Sequence, residues 1–420
     1  MEPQPKEKYE YNPDDVLGKG SFGIVYKGIY NYEDISKEVA LKEIPEEILE
    51  DQSKLESLYN EISISSKLNQ EEKNNEEKKE KKKNEEKKEE KKEEKKEEKN
   101  KVLLVNENIV NFLDIINLNK KTFLVYEFCN GGDLKRYLRY FKRFNEKVVQ
   151  YILTQVIKGL QILHNKKIVH HDIKPENILV ELCVEGASPE EREEKIKMIM
   201  GKTDHKNRYS TKFDSITNEE ILDILCKSKI KLSDFGLSKF KKETNKIEIS
   251  GSPLYLDPNL LKSESNLETV ENEKVDIWAL GVLAYELFFY DLPFQPMPPS
   301  IERLKQLYKK GEYIIDMKKC KKISKQFICF LNACLQEKQK IRPLTDELLF
   351  FEFIVRNVDN FNYLTYDNNT DNKYKYYKNA KYPNKSNKFP KKGDYLKEEG
   401  KITMFINDNR NINSFFDYEK

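Results

Sequence analysis

Residues 18–25 read Gly-Lys-Gly-Ser-Phe-Gly-Ile-Val, with glycines at Gly18, Gly20 and Gly23. Without a Cβ, such a backbone can approach phosphate oxygens and offer them its N–H groups. The spacing alone occurs in many tight turns, so its context decides. Dinucleotide sites place it between a strand and a helix. Here Ile24–Lys27 continues as a strand, which favours a hairpin flap over a nucleotide. A second feature is Lys42, in the apolar run Val39-Ala40-Leu41-Lys42. An ammonium on a half-buried strand needs a counter-ion. Glu61, on the following helical stretch, has the right character, and a lysine held by a carboxylate can present its charge to the α- and β-phosphates. A third is the run His170-His171-Asp172-Ile173-Lys174-Pro175-Glu176-Asn177-Ile178-Leu179, followed later by Asp234-Phe235-Gly236.

These side chains need elements to carry them. Short β-branched and aromatic runs predict strands at Ile24–Lys27, Val39–Glu43, Ile109–Asn117 and Thr122–Phe128. Leu55, Leu58, Ile62 and Leu68 fall on one side of a helix over about 52–68. Beyond Gly131, Val148, Val149, Ile152, Leu153, Val156, Ile157, Leu160 and Leu163 make a broad apolar helical face. Residues 275–353 are helical again. Two insertions interrupt the pattern. Residues 70–101 repeat Glu-Glu-Lys-Lys with period four, so like charges meet at i,i+4, and the segment is expected to be disordered. Residues 183–228 include Thr217 and Glu220, a capping box for a short helix carrying Ile221, Leu222, Ile224 and Leu225. That helix is expected to pack on its own domain. The domain reading is a flexible tail at 1–13, a small lobe and hinge at 14–130, a larger lobe at 131–357, and a flexible Asn-, Lys- and Tyr-rich tail at 358–420, with local structure around Ile402–Ile406.

Bulk composition excludes several classes. The 420 residues carry 75 basic against 73 acidic side chains, a net charge of +2, which argues against a nucleic-acid surface built on bulk charge. The six cysteines contain no Cys-x-x-Cys pair and histidine is scarce, so reduced thiols in a cytoplasmic or nuclear protein are expected. The opening MEPQPKEKYE has no apolar signal core. The longest apolar stretch, Ile277–Tyr290, is too short to span a bilayer, contains Glu286 and reads as a buried helix.

In order and context, the Gly-rich loop, strand lysine, helix glutamate, catalytic-loop run and Asp-Phe-Gly resemble the protein kinase family over about residues 14–355, the two insertions apart. The resemblance implies an α+β, bilobal fold: a small antiparallel β-sheet lobe with one main helix and a larger helical lobe. It implies ATP and Mg²⁺ as nucleotide and metal, and proteins as substrates. Asp172 matches the catalytic base and Lys174 the lysine that neutralises the transferring phosphoryl group. Asn177 and Asp234 match the metal ligands, whose oxygens suit Mg²⁺. Lys42 and Glu61 match the phosphate-holding pair. Leu17, Gly18, Gly20, Gly23, Val25, Ala40 and Leu179 match the nucleotide-binding positions, and the backbone of Glu127 and Cys129 matches the adenine-pairing hinge. Tyr126 falls at the position that limits the back of the nucleotide pocket. His170 and Phe235 match internal packing positions. Lysine two residues after Asp172, together with Gly251-Ser252-Pro253-Leu254-Tyr255, implies serine/threonine acceptors, with Ser252 hydrogen-bonded near Asp172 and Lys174. The segment Asp276–Gly281 matches the buried helix that anchors the catalytic loop.

The sequence departs from the family pattern at two places. His171 stands where regulated kinases carry the arginine that clamps a loop phosphate. Asp257-Pro258-Asn259 replaces Ala-Pro-Glu, so the late Arg342 loses its usual glutamate and Asn259 is expected to bond it without charge. With Glu248 near the usual phosphorylation point, these changes suggest activation without loop phosphorylation. The hinge phrase Tyr126-Glu127-Phe128-Cys129-Asn130-Gly131-Gly132-Asp133-Leu134 and Gly-Ser-Pro-Leu-Tyr resemble the autophagy-initiation kinases; calcium/calmodulin-type and cell-cycle kinases share parts of both. Two other readings stay open: a nucleotide-binding pseudokinase or scaffold, and an adaptor acting through its charged run. Regulatory partners are expected at the insertions or the C-terminal tail.

Overall fold

The computed structural model describes residues 8–20, 23–32, 35–52, 54–68, 107–204, 215–240, 252–262, 273–293, 303, 306, 313–316, 322–336, 338–360, 363–365 and 373–376. The 70–101 charged run, Glu248, Thr244, Ser250, Cys320 and the region around Ile402–Ile406 lie outside these residues. In chain order the strands that matter here are β1 (Tyr9–Gly20), β2 (Gly23–Tyr32), β3 (Ile35–Ile44), β4 (Phe112–Leu118), β5 (Lys121–Glu127), β6 (Ile168–Val169), β7 (Ile178–Glu181) and β8 (Lys229–Leu232). The chain divides into two compact units, residues 1–134 with 177–240, and residues 135–176 with 241–420.

In the first unit, β1 to β5 form an antiparallel sheet in the order β1-β2-β3-β5-β4. Period-two alternation gives the sheet two different faces. One buries Tyr9, Tyr26, Val39, Leu41, Phe123 and Val125 together. The opposite face gathers Ile44, Ile48, Phe112 and Leu124, with Leu58 and Ile62 of the helix over 54–68 and Tyr126 packed against them. Lys42 pairs with Leu124 and Ala40 with Tyr126, so both functional positions share the face the helix covers. The structure corrects the N-terminal boundary: residues 9–13, expected within a loose tail, belong to β1. Tyr9 pairs with Tyr30, is buried and donates its hydroxyl to Asp114 at 3.1 Å, a cross-sheet anchor that strand propensity alone does not reveal.

Within the same unit, β7 and β8 pair antiparallel, and β8 is tied to the segment before β4 by Val110 N–H to Leu232 O at 2.8 Å and Leu232 N–H to Asn108 O at 3.0 Å. The 183–228 insertion is helical at both ends. The helix Asn218–Leu225 starts with the Thr217/Glu220 capping box and buries Ile221, Ile224 and Leu225, so it packs on its own unit. Ahead of it lies the helix Pro189–Thr203, which the sequence reading missed. Its start carries a second capping box, Ser188 with Glu191, and proline in the first turn, signals that were legible.

In the second unit, the helix Glu273–Phe289 is buried along nearly its whole length, as Ile277–Tyr290 suggested. It packs with the helix Glu146–Asn165, whose N-cap Asn145 accepts from Val148 N–H. It also meets the helix Lys325–Cys334 at Gly281, where a Cβ would lie 2.8 Å from the Cys334 and Leu335 side chains. The tail expected to be flexible from 358 is paired in part. Tyr363–Thr365 pairs with Lys322–Ser324, and Lys373–Tyr376 with Tyr313–Asp316, where backbone hydrogen bonding compensates for a segment poor in aliphatic residues. Among the described residues no helix is long and apolar enough to cross a membrane.

Candidate active site

The predicted site residues fall into two groups, one in each unit. The first unit holds the loop, the lysine pair, the hinge, Asn177, Leu179 and Asp234. β1 and β2 close the hairpin with Gly18 opposite Val25 and Gly20 opposite Gly23. Gly23 has φ +130, and a Cβ there would lie 2.1 Å from the Glu43 carbonyl oxygen, so the fold itself demands glycine. At Gly18 a Cβ would meet nothing within 4 Å, which leaves its backbone open to approach by a ligand. Leu17 is exposed beside it. Val25 pairs with Lys42 across β2 and β3.

Lys42 Nζ donates to Glu61 Oε1 at 2.6 Å and to Asp234 Oδ1 at 3.5 Å. Burial pulls the Lys42 ammonium toward neutrality, but Glu61 and Asp234 outweigh it, and its pKa ends above the usual lysine value. The cation is therefore fixed at any working pH, which suits a group that holds phosphate. Asp234 sits at φ +62, and the residue before it is tied down twice: Ser233 N–H and Oγ both reach Asn177 O at 3.0 Å. These bonds hold together the segments that carry Asn177 and Asp234. Asn177 and Asp234 carry hard oxygen donors of the kind that Mg²⁺ takes together with water and phosphate.

The hinge is held by a group the sequence reading missed. Lys231, on β8, has a fully buried side chain and lies 2.8 Å from Glu127 Oε2 and 2.9 Å from Glu181 Oε2. Burial opposes its charge, but the two carboxylates outweigh it and raise its pKa. Glu127 Oε1 also accepts from Asn111 N–H at 2.8 Å. The hinge strand is thereby clamped to β8, which leads into Asp234. The only sequence signal was the second lysine of the strand Lys229-Ile230-Lys231-Leu232, three residues before Asp234. Cys129 is buried, and burial pushes its thiol up to about 12, so it behaves as an inert core group. Leu179 pairs with Lys231 on the neighbouring strand.

The second unit holds Asp172 and Lys174. Lys174 Nζ donates to Asp172 Oδ2 at 2.6 Å and to Ser252 Oγ at 2.9 Å. Ser252 donates its N–H and Oγ–H to Asp172 Oδ1 at 3.0 and 2.9 Å. Burial pushes the Asp172 carboxyl up, but Lys174 and Ser252 outweigh it, so the group stays ionised below the usual carboxylate range. The loop itself hangs from Asp276, whose carboxylate accepts from His170 N–H and His171 N–H, each at 2.9 Å, and faces His164 Nε2 at 2.9 Å. Asp276 is thus the buried anchor of the loop, as its motif implied. His170 is buried in this unit and Phe235 in the first.

One expectation is overturned. Arg342 keeps a charged partner. Its Nη1 and Nη2 both donate to Asp257, the latter to Oδ1 at 3.1 Å, and both side chains are fully buried. Asn259 donates its N–H and Nδ2 to Asp257 Oδ1 at 2.8 Å. The carboxylate absent from the third position of the motif is supplied from the first, and the ion pair persists with charge.

A hydroxyl held between a carboxylate and an ammonium, and a buried lysine–glutamate pair beside an aspartate that follows a glycine hairpin, define a phosphate-transferring class of protein. The description "Protein kinase domain" fits residues 74–354, 281 of the 420 residues, and the chain belongs to the protein kinase family. Gly18–Val25, Lys42 and Glu61 precede that span. Among individual relatives, the chain is 28% identical over 303 residues to serine/threonine-protein kinase unc-51 of Caenorhabditis elegans, covering 72% of this chain and 26% of that one. It is 25% identical over 348 residues to serine/threonine-protein kinase ULK1 of Homo sapiens, covering 83% and 25%. It is 24% identical over 279 residues to serine/threonine-protein kinase ATG1a of Arabidopsis thaliana, covering 66% and 31%. The chain therefore spans about a quarter to a third of the length of these relatives.

Proposed function

We propose that this chain transfers the γ-phosphate of ATP to serine or threonine hydroxyls of protein substrates. The observation that carries the reading is the Asp172–Lys174–Ser252 arrangement, in which an aliphatic hydroxyl already sits at hydrogen-bond distance from the ionised carboxylate and the ammonium. The Gly18–Gly23 backbone covers the nucleotide, and the backbone of Glu127 and Cys129 meets the adenine edge between Val25, Ala40 and Leu179. Lys42, oriented by Glu61, holds the α- and β-phosphates. Asn177 and Asp234 supply oxygens to Mg²⁺, which when bound offsets charge on the phosphate oxygens. Asp172 orients the acceptor hydroxyl and takes its proton, while Lys174 neutralises the group in transfer. A pseudokinase reading is disfavoured because Lys42, Asp172, Asn177 and Asp234 are all present and Lys42 is engaged by Glu61.

The hinge phrase and the similarity to unc-51, ULK1 and ATG1a support a place among autophagy-initiation kinases, in the cytoplasm or nucleus, with regulatory partners at the insertions or tail. His171, in place of arginine, supports activity without a loop phosphate. The test is transfer of labelled phosphate from ATP with Mg²⁺ to a general acceptor protein. Wild type should label Ser or Thr, and Asp172→Asn should lose roughly 10³-fold or more. Alanine at Thr244 and Ser250 should leave the rate in place. Transfer that survives Asp172→Asn would sink the mechanism, and loss in the alanine variant would sink the activation reading.

A further inference from the structure

We infer that Tyr126 is a positioning residue for this reaction: its hydroxyl fixes the Glu61 carboxylate that in turn holds Lys42. The inference rests on the kinase reading above. Glu61 Oε1 receives two donors, Lys42 Nζ at 2.6 Å and Tyr126 Oη at 2.8 Å. Both come from the sheet. Because Ala40 pairs with Tyr126 and Lys42 with Leu124, the two donors project from neighbouring strands on one face. The acceptor comes from the helix over 54–68, which covers that face. The Tyr126 ring is in turn braced by the edge of Phe112, with centroids 5.5 Å apart.

Three facts make this more than packing. Glu61 is only 2% exposed, so water competes poorly for its oxygens and each protein donor counts. Burial and the Glu61 charge push the Tyr126 phenol well above its ordinary value, so it remains a donor throughout the working range. A ring alone would fill the space, and phenylalanine would do that equally well; the hydroxyl adds a second tie between helix and sheet at the oxygen that orients Lys42. With that tie gone, the carboxylate can swing with its helix and the ammonium loses its set position. Misplacement of a phosphate-holding charge falls on the transition state more than on ground-state binding.

The experiment uses the full chain, Mg²⁺-ATP and a general acceptor protein. Tyr126→Phe should lower kcat/KM for ATP roughly 10- to 100-fold, the size of one hydrogen bond to a buried charge, with kcat carrying most of the loss. In a Glu61→Ala background the same change should have no further effect, because the acceptor is gone. Hydrogen exchange over residues 54–68 should quicken in Tyr126→Phe. Wild-type transfer with Tyr126→Phe unchanged, or losses that simply multiply in the double variant, would overturn the positioning role and leave the kinase reading intact. A loss confined to KM would also overturn it. If wild type transfers nothing, the kinase reading fails instead, and unchanged exchange over 54–68 would separately remove the tie.

Discussion

Replacing Asp257 by asparagine should be among the most damaging single-atom-scale changes in the second unit. Asp257 and Arg342 are both fully buried, and Asp257 Oδ2 also accepts from Gln339 Nε2 at 2.6 Å. Donors surround this carboxylate: two guanidinium nitrogens, an amide side chain, and the N–H and Nδ2 of Asn259. An asparagine turns one acceptor oxygen into a donor facing donors and takes the carboxylate away from the buried guanidinium. Arg342 keeps the Gln336 carbonyl at 2.6 Å and the Lys274 carbonyl at 2.9 Å, which soften the loss but do not neutralise the cation. Breaking a buried pair from one side costs about 3–5 kcal/mol. For a unit of this size that lowers the melting temperature by roughly 6–20 °C. Asn259→Ala removes an amide donor to Asp257 but leaves the ion pair in place, and should cost below about 1.5 kcal/mol. Calorimetry on the three proteins decides the matter. If Asn259→Ala proves as costly as Asp257→Asn, or Asp257→Asn costs under about 1 kcal/mol, the assignment of Asp257 as the partner of Arg342 is wrong.

Two further outcomes follow from the same bookkeeping of charge. Lys231→Met should cost about 3 kcal/mol, the low end for a buried pair, because Glu181 is a third exposed and can hydrate while Glu127 keeps only Asn111 N–H. ATP affinity should fall with it, and adding Glu127→Gln should restore much of the stability; a double variant less stable than the single one would contradict the clamp. The Asp172 carboxyl is depressed in the folded protein despite its burial, so it contributes stability that is present above the unfolded value and lost as pH falls through the folded one. Thermal melts between about pH 5 and pH 2 should therefore fall more steeply for wild type than for Asp172→Asn, and parallel curves would refute the shift.

Much of this protein was legible in the linear order of its residues. The glycine spacing, Lys42, the Asp172–Asn177 run and Asp234 are local patterns whose meaning survives without coordinates, because backbone conformation and short spacings are set by near neighbours. The same holds for the Thr217/Glu220 cap and the buried helix around Trp278. Partner choice among charges was not legible. Arg342 had an amide and a carboxylate two residues apart to choose from, more than 80 residues away along the chain, and only the folded position of Asp257, just ahead of the helix Pro258–Lys262, decided that it would meet Arg342. Lys231 looked like one lysine among many until β8 buried it between Glu127 and Glu181. Tyr126 read as bulk until the helix over 54–68 brought Glu61 to its hydroxyl, 65 positions distant. The sequence by itself determined which groups could do phosphate chemistry and on which kinds of element they lie. The tertiary structure decided which charges are stripped of water and therefore which partner each must have, since desolvation depends on what the whole chain packs around a side chain and not on its neighbours in sequence.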